Sequence, residues 1–213
     1  MTKIKRFVFN DFKTNCYVLY DGSYEAVIID GAANSHSELK ELYDFIQDNF
    51  LIPKYLINTH GHLDHVCGNY YLDSHYRIPM LMSFEDNFLI ENALCVADKF
   101  GYAIEPPPKP DKNIKDHDII KFGDTQLEVI ALPGHSPGSI GLYCEEDDFL
   151  ISGDTLFMES VGRTDLPGGN YEKLMNSIIN RIFKLPPDTV IYPGHGTDTT
   201  VIDEKKYNPF FTD

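Results

Sequence analysis

His60-Gly61-His62-Leu63-Asp64-His65 places three imidazoles and a carboxylate within six residues, directly after the short apolar run Tyr55–Asn58 and Thr59. Imidazole nitrogen and carboxylate oxygen are ligand types that suit Zn²⁺, Fe²⁺ and Mn²⁺. His60 and His62 stand two apart, so an extended backbone puts both on one face. Asp64 and His65 then require the chain to turn, presenting a second ligand set close by. Three further segments each end an apolar strand in a turn: Leu132-Pro133-Gly134-His135, Ser152-Gly153-Asp154 and Tyr192-Pro193-Gly194-His195. Strand ends offer side chains from a rigid support. Taken alone, His135 or His195 reads as a surface histidine after a Pro-Gly turn, and Asp154 as a turn residue after Gly153. Beside the six-residue cluster they read as a metal centre.

Around these ligands the pattern is strand-rich. Alternating or short apolar runs predict strands at Ile4–Phe9, Cys16–Tyr20 and Tyr24–Asp30. Ser35-His36-Ser37-Glu38 has the spacing of a capping box. Leu39, Leu42, Tyr43 and Ile46 follow at helical spacing, predicting a helix over Glu38–Phe50 with one face on a sheet. A second helix is expected over Phe84–Phe100. Pro106-Pro107-Pro108 and Pro110 end it in an extended loop, readable as a lid or as a plain connection. The second half predicts strands at Ile119–Phe122, Gln126–Ala131, Ser139–Cys144 and Phe149–Ser152, a helix at Tyr171–Phe183 and a strand at Thr189–Tyr192. Two strand-rich halves, each with an amphipathic helix and no obvious linker, predict an α/β fold. Two sheets would pack face to face with helices outside, in one domain over residues 1–213.

Composition narrows the functional classes. Of the 213 residues 42% are hydrophobic, including 14 Phe and 13 Tyr, which is material for a large core and excludes a disordered tail. With 18 Lys and Arg against 33 Asp and Glu the net charge is −15, unlike the basic face of nucleic-acid binders. No apolar run nears the ~18 residues of a membrane helix. The basic residues Lys3, Lys5 and Arg6 precede an apolar stretch that stops at Asn10 and Asp11, too short for a signal peptide. Cys16, Cys67, Cys95 and Cys144 are scattered without a C-x-x-C pair and read as free thiols of a reducing compartment. A cytoplasmic protein acting on a small molecule, with neither nucleic acid nor membrane as partner, is expected.

His60-x-His62-x-Asp64-His65 with His135, Asp154 and His195 resembles the metallo-β-lactamase superfamily, specifically its short glyoxalase II-like branch. The resemblance covers nearly the whole chain. It implies a four-layer αβ/βα sandwich of two mixed β-sheets with helices on the outer faces and a dinuclear site at one edge. By position it implies that His60, His62 and His135 bind a first metal and that Asp64, His65 and His195 bind a second, with Asp154 bridging. Zinc is the first candidate for both, with iron or manganese also suited to these donors. The implied reaction is hydrolysis of a hydroxyacyl thioester by metal-bound hydroxide, since two such ions create a nucleophile at neutral pH. Asp64, besides binding metal, would orient that hydroxide. A thiolate leaving group needs little proton assistance, so no separate general base is required.

Relatives of the same fold offer competing chemistries. True β-lactamases lack the bridging aspartate, flavodiiron proteins replace the second histidine of the cluster with glutamate, and nucleases must engage RNA or DNA. A lactonase would use the same hydroxide on an ester ring. The persulfide dioxygenase uses one iron on the equivalents of His60, His135 and Asp154, and its version of Gly162-Arg163-Thr164-Asp165 is close to this one. Pro193-Gly194-His195-Gly196 with Thr200 is closer to the short hydrolases. Arg163 reads either as a substrate-binding fork for a carboxylate or phosphate, or as a structural partner of Asp165. Cys67 stands where relatives commonly have glycine, as a buried helix thiol or as one that tunes the metals. Full-length glyoxalase II enzymes grip glutathione with a helical C-terminal domain, a lysine-x-tyrosine pair and a further tyrosine. The matching positions here are Arg163, Asp165 and Thr197, and with the sequence running only to Asp213 such a domain is not expected. Hydroxyacyl-glutathione is therefore expected to be a poor substrate with a high KM.

Overall fold

In the computed structural model, which describes residues 1–212, the N-terminal alternation of apolar residues becomes an antiparallel meander. Its strands are β1 (Lys3–Phe9), β2 (Thr14–Tyr20) and β3 (Glu25–Ile29). The Ser35 hydroxyl accepts from Glu38 N and the Glu38 carboxylate from Ser35 N, so the expected capping box opens α1 (His36–Asp48). Leu39, Leu42 and Ile46 are its buried face. The helix stops short of the expected end at Phe50, which lies in the left-handed region at φ 55° and is largely exposed. The crossover then delivers β4 (Ile52–Ile57) parallel to β3.

Short elements that the pattern does not announce follow: α2 (Leu63–Val66), α3 (Asn69–Tyr76) and β5 (Met80–Met82). The expected helix over Phe84–Phe100 begins as a 3₁₀ turn, Phe84–Asp86, capped by the Ser83 hydroxyl. It continues as α4 (Asn87–Phe100) and ends at Gly101 with φ 70°. The proline segment runs without regular structure to β6 (Lys112–Asn113). Asp111 anchors its end through its backbone N–H on Met80 O (2.9 Å) and its carboxylate on Met80 N (2.8 Å). The first sheet has the order β1-β2-β3-β4-β5-β6, antiparallel at the start and parallel from β3 onward.

The second sheet is built from β7 (Ile119–Phe122), β8 (Thr125–Ala131), β9 (Ile140–Cys144) and β10 (Phe149–Gly153). The two-residue strands β11 (Leu156–Phe157) and β12 (Ser160–Val161) form a separate hairpin. Asn170 caps α5 (Tyr171–Asn180), and Arg181, at φ −121° and ψ −64°, breaks the expected longer helix into a 3₁₀ turn at Ile182–Lys184. Then come β13 (Val190–Pro193), β14 (Thr199–Thr200) and α6 (Val201–Tyr207). The sheet order is β14-β13-β10-β9-β8-β7, with β10 and β13 parallel and β9 antiparallel to β10. The chain is thus α/β with two mixed sheets and helices.

Two compact units result: Met1–Ile114 with Lys121–Thr125, and Lys115–Ile120 with the chain from Gln126 onward. The first has its core of Phe7, Val18, Ile28, Leu42, Leu56, Leu72 and Met82 between its sheet and α1 and α3. The second packs Ile130, Leu150 and Ile191 of its sheet against Leu174 and Ile178 of α5. Within the first unit the Asp21 carboxylate accepts from Ser23, Asp124 N, Thr125 N and the Thr125 hydroxyl, holding Gly123–Thr125 to the β2–β3 turn. Burial opposes its ionisation, but these donors prevail and hold its pKa at about 2. Among the described residues no helix is long and apolar enough to cross a membrane.

Candidate metal centre

In the first unit β4 runs out through Asn58 and Thr59 into His60, and His62 is the cap from which α2 starts. This is the turn that the sequence required after His62. It brings the ring centroids of His60 and His62 to 4.8 Å and those of His60 and His65 to 4.1 Å. His60 and His65 are buried. His65 Nε2 stands 3.3 Å from Asp64 Oδ2.

Asp30, left-handed at φ 57° past the end of β3, anchors this cluster from behind. Its carboxylate accepts from Thr59 N (2.8 Å), the Thr59 hydroxyl (2.8 Å) and His65 Nδ1 (2.9 Å). A carboxylate there can only accept, so Nδ1 of His65 carries a proton, which leaves Nε2 as the nitrogen through which this imidazole could bind a metal. Thr59 Oγ1 lies 3.1 Å from His60 Nδ1 in turn. The buried Asp86 carboxylate accepts Gly61 N at 2.9 Å. A side chain at Gly61 would press on Asp86 O and Leu89 at 3.0 Å, which explains a glycine between the two histidines.

In the second unit the three strand-end segments behave alike. Gly134, at φ 149°, lies so close to α5 that a Cβ would fall 2.3 Å from Leu174 N and Cα. Its carbonyl accepts Asn170 N, while Ser177 Oγ donates to Pro133 O at 2.8 Å. His135, so placed, is buried, and its Nδ1 is 2.7 Å from Arg163 O. Gly153 turns the end of β10 at φ 52°, and its carbonyl accepts Gly194 N at 2.9 Å, setting Asp154 and His195 side by side. Asp154 Oδ2 is 3.6 Å from His135 Nε2 and 3.4 Å from His195 Nε2. A Cβ on Gly162 would meet Asp154 O at 1.9 Å, so only glycine fits beneath that aspartate.

The donor set fits a divalent ion. Ligand atoms ~2.0–2.2 Å from a tetrahedral ion lie about 3.3–3.6 Å from one another, longer than a good hydrogen bond. The carboxylate–imidazole separations of 3.3, 3.4 and 3.6 Å have that spacing. The outer nitrogens of His65 and His135 face a carboxylate and a backbone carbonyl, the usual partners of metal-binding imidazoles.

The match to a family model described as the metallo-beta-lactamase superfamily runs over residues 9–195, from β1 to the last of these histidines. The chain belongs to the metallo-β-lactamase superfamily. Among its relatives, the hydroxyacylglutathione hydrolase GloC of Haemophilus influenzae is 37% identical over 201 residues, 93% of each chain. The solved structure of BLEG-1, described as a B3 metallo-beta-lactamase, has a TM-score of 0.91 at 32% identity, covering 99% of this chain and all of that one. TTHA1623 in a di-iron-bound form has a TM-score of 0.88 at 35% identity, covering 97% of this chain and 99% of that one. Divalent metals are the superfamily's cofactors, and this chain carries histidine and aspartate clusters that could hold such ions.

Two expectations outside the ligand set take concrete form. Arg163 forms a two-pronged pair with Asp165, Nε to Oδ1 and Nη2 to Oδ2 both at 2.7 Å, on the surface. That pairing holds the Asp165 carboxyl at about 2. Cys67 is buried, its Sγ 3.2 Å from Ala32 O; burial first and the Asp64 charge second push its thiol up to about 12. That is an inert packing thiol at neutral pH. Sequence reasoning missed Asp30, Thr59, Asp86 and Gly162. Asp30 had the same signal as Asp154, an acid closing an apolar strand beside a glycine, but it lies outside the motif that carries the family resemblance.

Proposed function

We propose that this chain is a dinuclear metal-dependent hydrolase of thioesters, its two units acting as one metallo-β-lactamase-like domain. In this reading His60, His62 and His135 would hold one ion, Asp64, His65 and His195 the other, and Asp154 would serve both. One observation carries it: a single oxygen, Asp154 Oδ2, faces His135 Nε2 and His195 Nε2, an imidazole from each ligand set. That arrangement supports Asp154 as the carboxylate that would serve both ions. When bound, the ions lower the pKa of water and polarise a carbonyl.

The chain's own residues do the rest. Asp30 and the Arg163 carbonyl fix which nitrogen of His65 and His135 points inward. Asp64 would bind metal and orient the attacking water, and because a thiolate leaving group needs little proton assistance, no further base would be needed. Zinc is the first candidate, and iron or manganese suits the same donors. The kinship with GloC supports a hydroxyacyl thioester as substrate. The substrate is a small molecule and the setting cytoplasmic. Arg163 is the cation for a carboxylate of the thiol carrier, and its pairing with Asp165 leaves it weakly available. Lactoyl-glutathione should therefore be cleaved with a high KM relative to thioesters of smaller thiols.

Metal analysis paired with a substrate panel tests this. Two divalent ions per chain and thioester cleavage support the reading. One iron with oxygen consumption on glutathione persulfide would replace it by a dioxygenase. Cleavage confined to a lactone or a β-lactam would retain the hydrolase and overturn the thioester.

A further inference from the structure

The helix that carries Asp64 and His65 has four residues, and its capping residue His62 makes no side-chain cap. A single turn has no stability of its own, and its last carbonyls have no partner within it. Two asparagine side chains from elsewhere in the first unit supply them. Asn58 Nδ2 donates to His65 O at 2.9 Å, and Asn10 Nδ2 donates to Asp64 O at 2.9 Å. Asn10 sits on the β1–β2 turn in the left-handed region at φ 54°, a conformation that asparagine tolerates. Its backbone N–H donates to Glu38 Oε1 at 2.6 Å, so the turn is tied to the capping box of α1. Four residues on, the wholly buried Thr14 donates its hydroxyl to Asp64 Oδ2 at 2.8 Å. The same hydroxyl lies 3.3 Å from Asn10 Oδ1, a longer and uncharged alternative, so its single proton goes to the carboxylate. Asp64 Oδ2 is also the oxygen that faces His65 Nε2.

We propose that Thr14 is the positioning residue of Asp64: the β1–β2 turn holds the Asp64 backbone through Asn10 and fixes its carboxylate through the Thr14 hydroxyl, so this turn sets the affinity of the metal that Asp64 binds. The inference rests on the reading of Asp64 as a ligand. Without the hydroxyl the carboxylate loses this hydrogen bond, and more of its ordering falls to the ion. Outer partners of this kind are worth ~10–100-fold in metal affinity.

Zinc titration against a chromophoric chelator tests this on the full chain, alongside urea unfolding of the metal-free protein. Thr14→Val keeps the branched shape and removes the hydroxyl. It should weaken one zinc site by about 10–100-fold and leave the other unchanged, and Thr14→Ser should restore the loss. Thr14→Ala should show the same loss, and serves if the valine variant does not fold. Wild-type affinity at both sites in a folded Val or Ala variant overturns the proposal. So does a loss that serine fails to restore, or one that merely parallels a lowered urea midpoint. Asp64→Asn separates the two levels of the argument. If it too leaves zinc binding unchanged, Asp64 is no ligand and the reading beneath the proposal falls with it. If it loses one ion while Thr14→Val loses nothing, only the positioning role is wrong.

Discussion

Replacing Asp30 by asparagine changes one buried oxygen to an NH₂ group at nearly constant volume, and its consequences can be followed atom by atom. The carboxylate serves three donors: Thr59 N, the Thr59 hydroxyl and His65 Nδ1, at 2.8, 2.8 and 2.9 Å. An asparagine can still accept from Thr59 N, and its NH₂ can donate to the Thr59 hydroxyl. It then faces the proton of His65 Nδ1 with a proton of its own. Either a buried donor is left unsatisfied, at about 1–3 kcal/mol, or His65 changes tautomer and its Nε2 lone pair is lost to the metal. The first outcome lowers the stability of the metal-free chain, read by urea unfolding. The second lowers zinc affinity by about 10–100-fold, or roughly 1.4–2.7 kcal/mol, read by chelator competition. Nitrogen-15 spectra of the imidazoles would show which nitrogen carries the proton. If Asp30→Asn keeps both the stability and the zinc affinity of the parent, the assignment of His65 Nδ1 as the donor to Asp30 is wrong.

Asp154→Ala should abolish turnover and weaken both metal sites together. A variant that loses a single ion by elemental analysis would show that the carboxylate does not bridge. Gly162→Ala should cost about 1–3 kcal/mol in urea unfolding and displace Asp154, because its Cβ would lie 1.9 Å from Asp154 O. A parent-like melt with both metals retained would contradict that packing. The Asp21 carboxyl, with its pKa lowered to about 2, contributes stability that is fully present above the ordinary carboxylate value near 3.8 and is lost as pH falls toward 2. Asp21→Asn should flatten that acid limb and lower the neutral-pH stability by ~1–2 kcal/mol in denaturant titrations at several pH values. For the substrate, steady-state kinetics on lactoyl-glutathione should give a KM well above that for thioesters of smaller thiols, and a micromolar value would show a carrier grip that Arg163 does not supply.

The candidate ligands could be singled out in the sequence because metal chemistry restricts residue type and strand ends restrict position. His60, His62, Asp64, His65, His135, Asp154 and His195 all follow apolar runs that form strands, β4, β8, β10 and β13. The long elements were legible too, since a capping box and a 3.6-residue apolar period act within a dozen residues. Local signals failed where the stabilising partners are distant in the chain. The turn α2 is held because Asn10 and Asn58 donate to its orphan carbonyls, and β6, β11, β12 and β14, at two residues each, exist only through their neighbours. The break at Arg181 likewise left no mark in the periodicity of α5. Above all, residue type could not say which groups hold the ligands. Asp30, Thr14 and the Arg163 carbonyl reach the histidines and Asp64 across 35, 50 and 28 positions of chain, and only tertiary structure brings such groups within hydrogen-bond range.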